Sequence, residues 1–335
     1  MIIGGTGLLG FETAKLLAKD NHEIISFALP PKPTHLQIPP EMELVFQNYL
    51  NLTDDELLNY MKGCEGLVFA AGIDERVEGP APIYDLYYKY NIEPLKRLLP
   101  LAKLAGISNV VIYGSYFSYF NKIWPKLELT KHHPYIKSRV EQEKLALSFV
   151  CDNFNVSVIE IPYVFGIQPG REPVWTILIS EILKMKNKTY WTKGGTAMVT
   201  ARQVAEATRG ALISSKGAKT YPLGYFNMTR KEMLEIFHKY LGLENRKIVT
   251  VPNFLYKLFA RRIMKKNQKK GIEMGLNLAK FANLQSKMQF IDKDIAATKL
   301  GVTADDIEQA IKESVLLSKE ALSKPKNKLT KMNYK

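Results

Sequence analysis

Gly4-Gly5-Thr6-Gly7-Leu8-Leu9-Gly10 follows the apolar start Met1-Ile2-Ile3 and opens the amphipathic run Leu8 to Lys19. The order is strand, glycine turn, helix, which is the context of a dinucleotide-phosphate loop. Glycines let the chain turn tightly and let a pyrophosphate approach amide groups at the positive end of the helix dipole. Two spacings coexist, Gly5-x-Gly7-x-x-Gly10 and Gly4-x-x-Gly7-x-x-Gly10. A glycine turn with no ligand is the bland alternative, and the flanking strand and helix favour the nucleotide. Only three residues precede Gly4, so either the first strand is short or the native start lies upstream.

The chain has 335 residues, 46% hydrophobic and 24% charged, room for two domains or one core with an appended lobe. No apolar run reaches the ~20 residues of a membrane-spanning helix, and the apolar start runs straight into the glycine loop rather than into a signal peptide. Cys64 and Cys151 make no disulfide framework, and no Cys/His spacing resembles a metal site. A cytoplasmic protein without metal is expected. The net charge of +14 is concentrated: seven basic residues and no acid lie between Lys257 and Lys270, and the last twenty residues hold six lysines against Glu320. That end reads as a solvated, frayed tail.

Strands and helices alternate through the first half. Strands are expected at Ile24–Ala28, around Leu44–Phe46, at Leu67–Ala71, Asn109–Tyr113 and Val156–Ile161. Helices are expected after the capping pair Thr53 and Glu56, from Tyr84 to about Ala105 with a kink at Pro94, and from Pro134 to Phe149. Strands apolar throughout argue for a parallel sheet covered on both faces, with ligands beyond the carboxyl ends of its strands. From about Gly166 the chain reads as mostly helical. The expected division is 1–165 for nucleotide binding, 166–312 for a substrate lobe with some segments around 196–210 packing back on the first domain, and 313–335 as a basic tail.

Over the first ~240 residues the pattern resembles the extended short-chain dehydrogenase/reductases, the NAD-dependent epimerase/dehydratases. The resemblance implies a Rossmann-type, doubly wound α/β sheet. It aligns Gly4, Gly7 and Gly10 with the phosphate loop, together with Thr6, Leu8 and Leu9. It places Ala70, Ala71 and Gly72 under the cofactor, Asn91 on a helix beside it, and Pro162 and Val164 in a turn against the nicotinamide. Ser115 and Tyr135 fall where the catalytic serine and tyrosine are expected. Thr229-Arg230-Lys231-Glu232-Met233 resembles the start of a substrate-lobe helix. A tyrosine with an ordinary pKa of about 10 needs a fixed cation nearby to work as acid and base, and a residue four positions on lies one helical turn up the same face.

Two departures matter. Tyr-x-x-x-Lys has become Tyr135-x-x-x-Arg139, and a planar guanidinium does not place charge as an ammonium does. Arg139 is therefore a working substitute, a weakened site, or the mark of a protein that binds nucleotide without turnover. Second, no acid lies between Glu23 and Glu41, where a carboxylate would hold the adenosine ribose. With Lys32 available for a 2′-phosphate, the reading leans to NADP over NAD.

The expected function is an NAD(P)-dependent oxidoreductase, epimerase or dehydratase acting on a hydroxyl or keto substrate, with a nucleotide sugar as a candidate. Its alternative is a non-catalytic NADP(H)-binding scaffold or redox sensor. His132 and His133 read as a helix-entry loop more than a proton relay. The basic stretch 253–270 reads first as a solvated face, with an anionic substrate or a peripheral membrane surface as alternatives. No motif supports nucleic acid as a partner. A homodimer is a candidate assembly.

Overall fold

A computed structural model describes residues 1–30 and 36–323. Its centre is a seven-stranded sheet of β1 (Ile2–Ile3), β2 (Ile24–Phe27), β3 (Met42–Val45), β4 (Gly66–Phe69), β5 (Asn109–Tyr113), β6 (Asn155–Glu160) and β7 (Ala218–Pro222), in the order β7-β6-β5-β4-β1-β2-β3. All neighbours are parallel. Successive side chains leave a strand on opposite faces, and both faces here are buried. Ile2, Val68, Val111 and Ile159 pack towards the helices Leu8–Lys19 and Ala201–Ser214. Ile3, Leu67, Phe69, Val110, Ile112 and Val158 pack towards Asp54–Met61 and Glu93–Leu104. This is the doubly wound α/β sheet expected. Strand order reverses between β1 and β4, which opens a crevice above their carboxyl ends.

The chain re-enters this sheet late. Helix Ala201–Ser214 lies on helix Leu8–Lys19 and leads into β7, so residues 201–222 complete the nucleotide-side layer. A buried hydroxyl chain fastens the layer: Thr13 Oγ1 to Tyr113 Oη at 2.6 Å, and Tyr113 Oη to Thr208 Oγ1 at 2.9 Å.

The second lobe contains more strand than its composition suggested. Gly195–Thr200 pairs with Tyr163–Phe165, Phe226–Thr229 and Met288–Gln289, and Lys188–Thr192 pairs with Lys247–Val251. Helices Thr176–Lys184, Arg230–Leu241 and Ile307–Ser323 close over Phe165, Trp175, Met198, Phe237 and Val315. The expectation of a frayed end fails up to Ser323, because Ile311, Ser314, Val315 and Ser318 are buried on one helical face. Residues 324–335 lie outside the described residues.

The helix expected from Tyr84 to Ala105 is broken as Pro94 requires. Pro94 has no N–H to donate back into the preceding turn, and residues Tyr88–Ile92 just before it form a π-helical turn. That turn carries Asn91.

His133 ties this half to the later chain. Its Nδ1 accepts from the Asn277 amide at 3.1 Å, while the Tyr135 amide donates to the Gly275 carbonyl at 3.0 Å. Burial first, then the neighbouring His132, pushes the His133 pKa down to about 4. The unfolded chain therefore takes up a proton that the folded chain refuses, and stability held above the ordinary pKa of about 6.5 drains away as pH falls towards the folded value. Melting temperatures should fall over that window, and His133→Asn should flatten the slope. Parallel pH profiles for the two proteins would contradict this role.

Candidate active site

Each glycine of the opening loop is there for a different reason. Gly4 has φ +97°, a left-handed conformation, and a Cβ on it would sit 3.0 Å from the Ala70 carbonyl. A Cβ on Gly10 would lie 2.4 Å from the Gly4 carbonyl oxygen, so Gly10 lets helix and loop touch. Gly5 faces Ser26 in the same way. Gly7 differs, because its nearest neighbour would be 3.3 Å away. Gly7 is also the N-cap of helix Leu8–Lys19, which has no side-chain cap and no acid in its first turn. Uncapped amides at a helix start, facing a residue without a side chain, form a cradle for an anion. The residues present thus fit a dinucleotide pyrophosphate.

Beside this loop the expected residues converge on one guanidinium. Arg139, on helix Pro134–Leu147, is buried. Its Nε donates to the Tyr135 hydroxyl (3.2 Å), Nη1 to the Tyr113 carbonyl (3.3 Å) and to Gln142 Oε1 (2.9 Å), and Nη2 to the Ile73 carbonyl (3.1 Å). Of its five N–H donors, one on Nη2 is left over among the described residues. Gly72, φ +125°, lies against both the guanidinium and Asn91.

Asn91 is equally committed. Its Oδ1 accepts from the Ile73 amide (2.8 Å), and its Nδ2 donates to the Ile73 carbonyl (3.1 Å) and Ser138 Oγ (3.3 Å). Gln142 donates to the Asn91 backbone carbonyl (2.7 Å). Asn91 therefore holds the 70–73 turn, with its amide used up by protein.

Tyr135 is buried beneath this turn, its ring edge-on to Tyr87 and Phe117. Burial raises its pKa. Arg139 opposes that, Glu75 adds to it, and a hydrogen bond from Ser115 lowers it, with a net upward shift. Ser115 caps helix Tyr116–Ile123 by accepting from the Phe117 amide at 3.3 Å. The same hydroxyl lies close enough to Tyr135 to lower its pKa.

The far wall belongs to residues that sequence reading left without a role. Gln168 Nε2 donates to the Thr6 carbonyl at 2.8 Å, laying the segment after Phe165 across the glycine loop, and its Oε1 is buried without a partner among the described residues. Arg76 donates to the Val174 carbonyl at 3.0 Å from the other side. Glu75 lies close enough to Tyr135, Tyr87 and Tyr116 to raise the pKa of each, and its own pKa is raised by burial and Asp74. Pro162 is buried in the turn beside Ser115, where the Tyr116 amide donates to the Ile161 carbonyl (3.1 Å). The Val164 carbonyl is held by Trp175 Nε1 at 2.9 Å. Lys32 lies outside the described residues.

Arg230 is the second buried guanidinium, 1% exposed at the start of helix Arg230–Leu241. It donates to the Gln285 carbonyl (3.3 Å), the Tyr163 hydroxyl (3.4 Å) and Gln289 Oε1 (2.7 Å). No carboxylate pairs with it among the described residues, and Gln285 Oε1 and Gln289 Nε2 beside it are buried without partners. The sequence offered one signal, an arginine in the first turn of a capped helix otherwise apolar on its inner face.

A strand-turn-helix phosphate cradle with a buried tyrosine one helical turn from a cation defines a nucleotide-dependent enzyme class. Residues 1–219 match the family model described as "NAD dependent epimerase/dehydratase family", and the chain belongs to that family. No curated protein matches it. Among solved structures it resembles the protein gox2253, with TM-score 0.74, 18% identity and 96% and 97% of the two chains covered. It also resembles the UDP-glucuronic acid 4-epimerase from Bacillus cereus, solved with UDP-glucuronic acid and NAD (TM-score 0.67, 13% identity, coverage 96% and 98%). A third is the UDP-N-acetylglucosamine 4-epimerase from Methanobrevibacter ruminantium M1, solved with UDP-N-acetylmuramic acid (TM-score 0.66, 15% identity, coverage 96% and 97%). At these identities the likeness is one of fold.

Gly7→Ala and Gly10→Ala should behave differently. Gly10→Ala drives a methyl into backbone and should cost about 1–3 kcal/mol of stability. Gly7→Ala should lose clearly less stability than Gly10→Ala yet lose at least about tenfold in NAD(H) affinity by calorimetry. Equal affinity in Gly7→Ala would contradict the cradle.

Proposed function

We propose that this protein transfers hydride to and from a nucleotide sugar, with Tyr135 moving the proton at the substrate oxygen. One observation carries the reading: the Arg139 guanidinium donates to the buried Tyr135 hydroxyl at 3.2 Å, with Ser115 close enough to lower that hydroxyl's pKa, at the carboxyl end of β5 and beside the glycine loop. Bound NAD(P) supplies the hydride acceptor and donor. The Gly4–Gly10 loop with Thr6, Leu8 and Leu9 would hold its phosphates, Ala70–Gly72 would lie beneath it, and Pro162 and Val164 would face its nicotinamide.

Tyr135 would take the proton of a substrate hydroxyl as phenolate and return it to a keto oxygen as phenol, with Ser115 hydrogen-bonding the same oxygen. Burial disfavours the phenolate, and Arg139 supplies the opposing charge at 3.2 Å. Arg139 does this while tied to its own helix and to two other elements, so it acts by position and field, and its one N–H left over among the described residues is what remains for a ribose hydroxyl. Asn91 acts as a positioning residue for the 70–73 turn. The nucleotide-sugar reading rests on Arg230, since a buried guanidinium without a counter-ion is costly until an anion arrives. The UDP-sugars in two of the fold neighbours are consistent with a diphosphate there.

The cofactor reading keeps both dinucleotides. The family description names NAD, whereas no carboxylate stands in Ala28-Leu29-Pro30 after β2 to select it. The rival scaffold reading draws on Arg139, whose donors are nearly all spent on protein.

Against a panel of UDP- and dTDP-sugars, Tyr135→Phe should lower turnover at least about a hundredfold with NAD(H) affinity unchanged. Turnover surviving in Tyr135→Phe would remove the tyrosine from the chemistry. A wild type that binds nucleotide and converts no sugar would favour the scaffold. Parallel titrations with NADH and NADPH decide the dinucleotide: NADPH at least about threefold tighter would support the lean to NADP, and NADH tighter would end it.

A further inference from the structure

Helix Asn253–Gln268 is the most exposed long helix of the lobe, for of its sixteen residues only Ala260 is buried. Phe254 and Phe259 are each 64% exposed, and Leu255, Leu258 and Ile263 stand out beside them. Phe254 and Leu258, Leu255 and Phe259, and Phe259 and Ile263 are each four residues apart, so they form adjoining ridges on one outward surface. Arg261, Arg262, Lys265 and Lys266 follow on the later turns, then Lys269 and Lys270, all exposed. The helix is about 24 Å long at 1.5 Å per residue, apolar outward at its start and cationic at its end. Tyr256, on the inner side, lies close enough to Arg230 and Tyr163 for both to affect its pKa. The exposed face therefore backs directly onto the lobe wall that holds Arg230.

Contiguous large apolar side chains in water mark an interaction surface, and the charge around them selects the partner. A second copy of this chain is disfavoured, since a two-fold contact over this face gathers twelve cations, the six exposed ones of each copy, into one interface with no acid on the helix to offset them. The lysine-rich segment 324–335 carries the same sign and is repelled likewise. Nucleic acid would use the cations and leave the phenylalanines and leucines in water. We propose that this helix docks on an anionic membrane surface, with Phe254, Leu255, Leu258, Phe259 and Ile263 entering the headgroup–acyl boundary and the flanking lysines and arginines meeting lipid phosphates. No helix among the described residues is long and apolar enough to cross a membrane, so the contact is peripheral. The proposal does not depend on the reaction assigned to the site.

Flotation of the full chain with phosphatidylcholine vesicles, with and without about 30% phosphatidylglycerol, tests it. Wild type should float with the anionic vesicles and at least about tenfold less with neutral ones, and about 0.5 M salt should weaken binding. Leu258→Ser/Phe259→Ser and Lys265→Glu/Lys266→Glu should each bind at least about tenfold less with unchanged melting temperature. No flotation with anionic vesicles would overturn the proposal. So would undiminished flotation of Leu258→Ser/Phe259→Ser, which would mean charge alone, or a wild-type dimer that this variant dissolves, which would make the face a self-interface.

Discussion

A buried guanidinium must find hydrogen-bond acceptors or it costs more than its burial returns, and Arg139 finds four of them on three pieces of chain. It reaches the Ile73 carbonyl after β4, the Tyr113 carbonyl at the end of β5, Gln142 one turn up its own helix, and the Tyr135 hydroxyl one turn down. Gln142 in turn holds the Asn91 carbonyl, and Asn91 holds Ile73. The loop is closed. Turn, π-helical bend and the inner face of helix Pro134–Leu147 are fixed against one another by a single network, in which loss of one member leaves others unsatisfied.

This arrangement changes what an arginine means at a position where the resemblance implies a lysine. An ammonium at the end of a flexible stem could swing between phenol and ribose, whereas a planar fork bonded on three sides cannot. Arg139 trades freedom for placement. The charge stays beside a phenol whose pKa burial raises, and it opposes that shift before any ligand arrives. Arg230 offers the complementary case, a buried cation bonded only to neutral groups among the described residues.

Local features were legible in the chain. The glycine loop, the strand Asn109–Tyr113, the capped helix at Thr53 and the break at Pro94 each depend on residues within a few positions of one another. The convergence of Ser115, Tyr135 and Arg139 was legible too, through helical spacing and strand ends. What escaped depends on distance. The partners of Arg139 and Arg230 lie up to 66 and 67 residues away, so neither network has a local signature. Strands Lys188–Thr192 and Lys247–Val251 have only a weak local signature because each is short, with Ile248, Val249 and Val251 as the β-branched residues that favour the second. Strand Ala218–Pro222 is a polar edge, ending at a proline as edges allow.

The closed network makes one substitution more telling than any other. Arg139→Lys keeps the charge and removes the fork, so denaturant unfolding of the two proteins measures what the fork holds together. A loss of about 2–4 kcal/mol, with no change in the dependence on denaturant, is the predicted result. An unchanged midpoint would contradict the account, because a lysine could then do everything the guanidinium does.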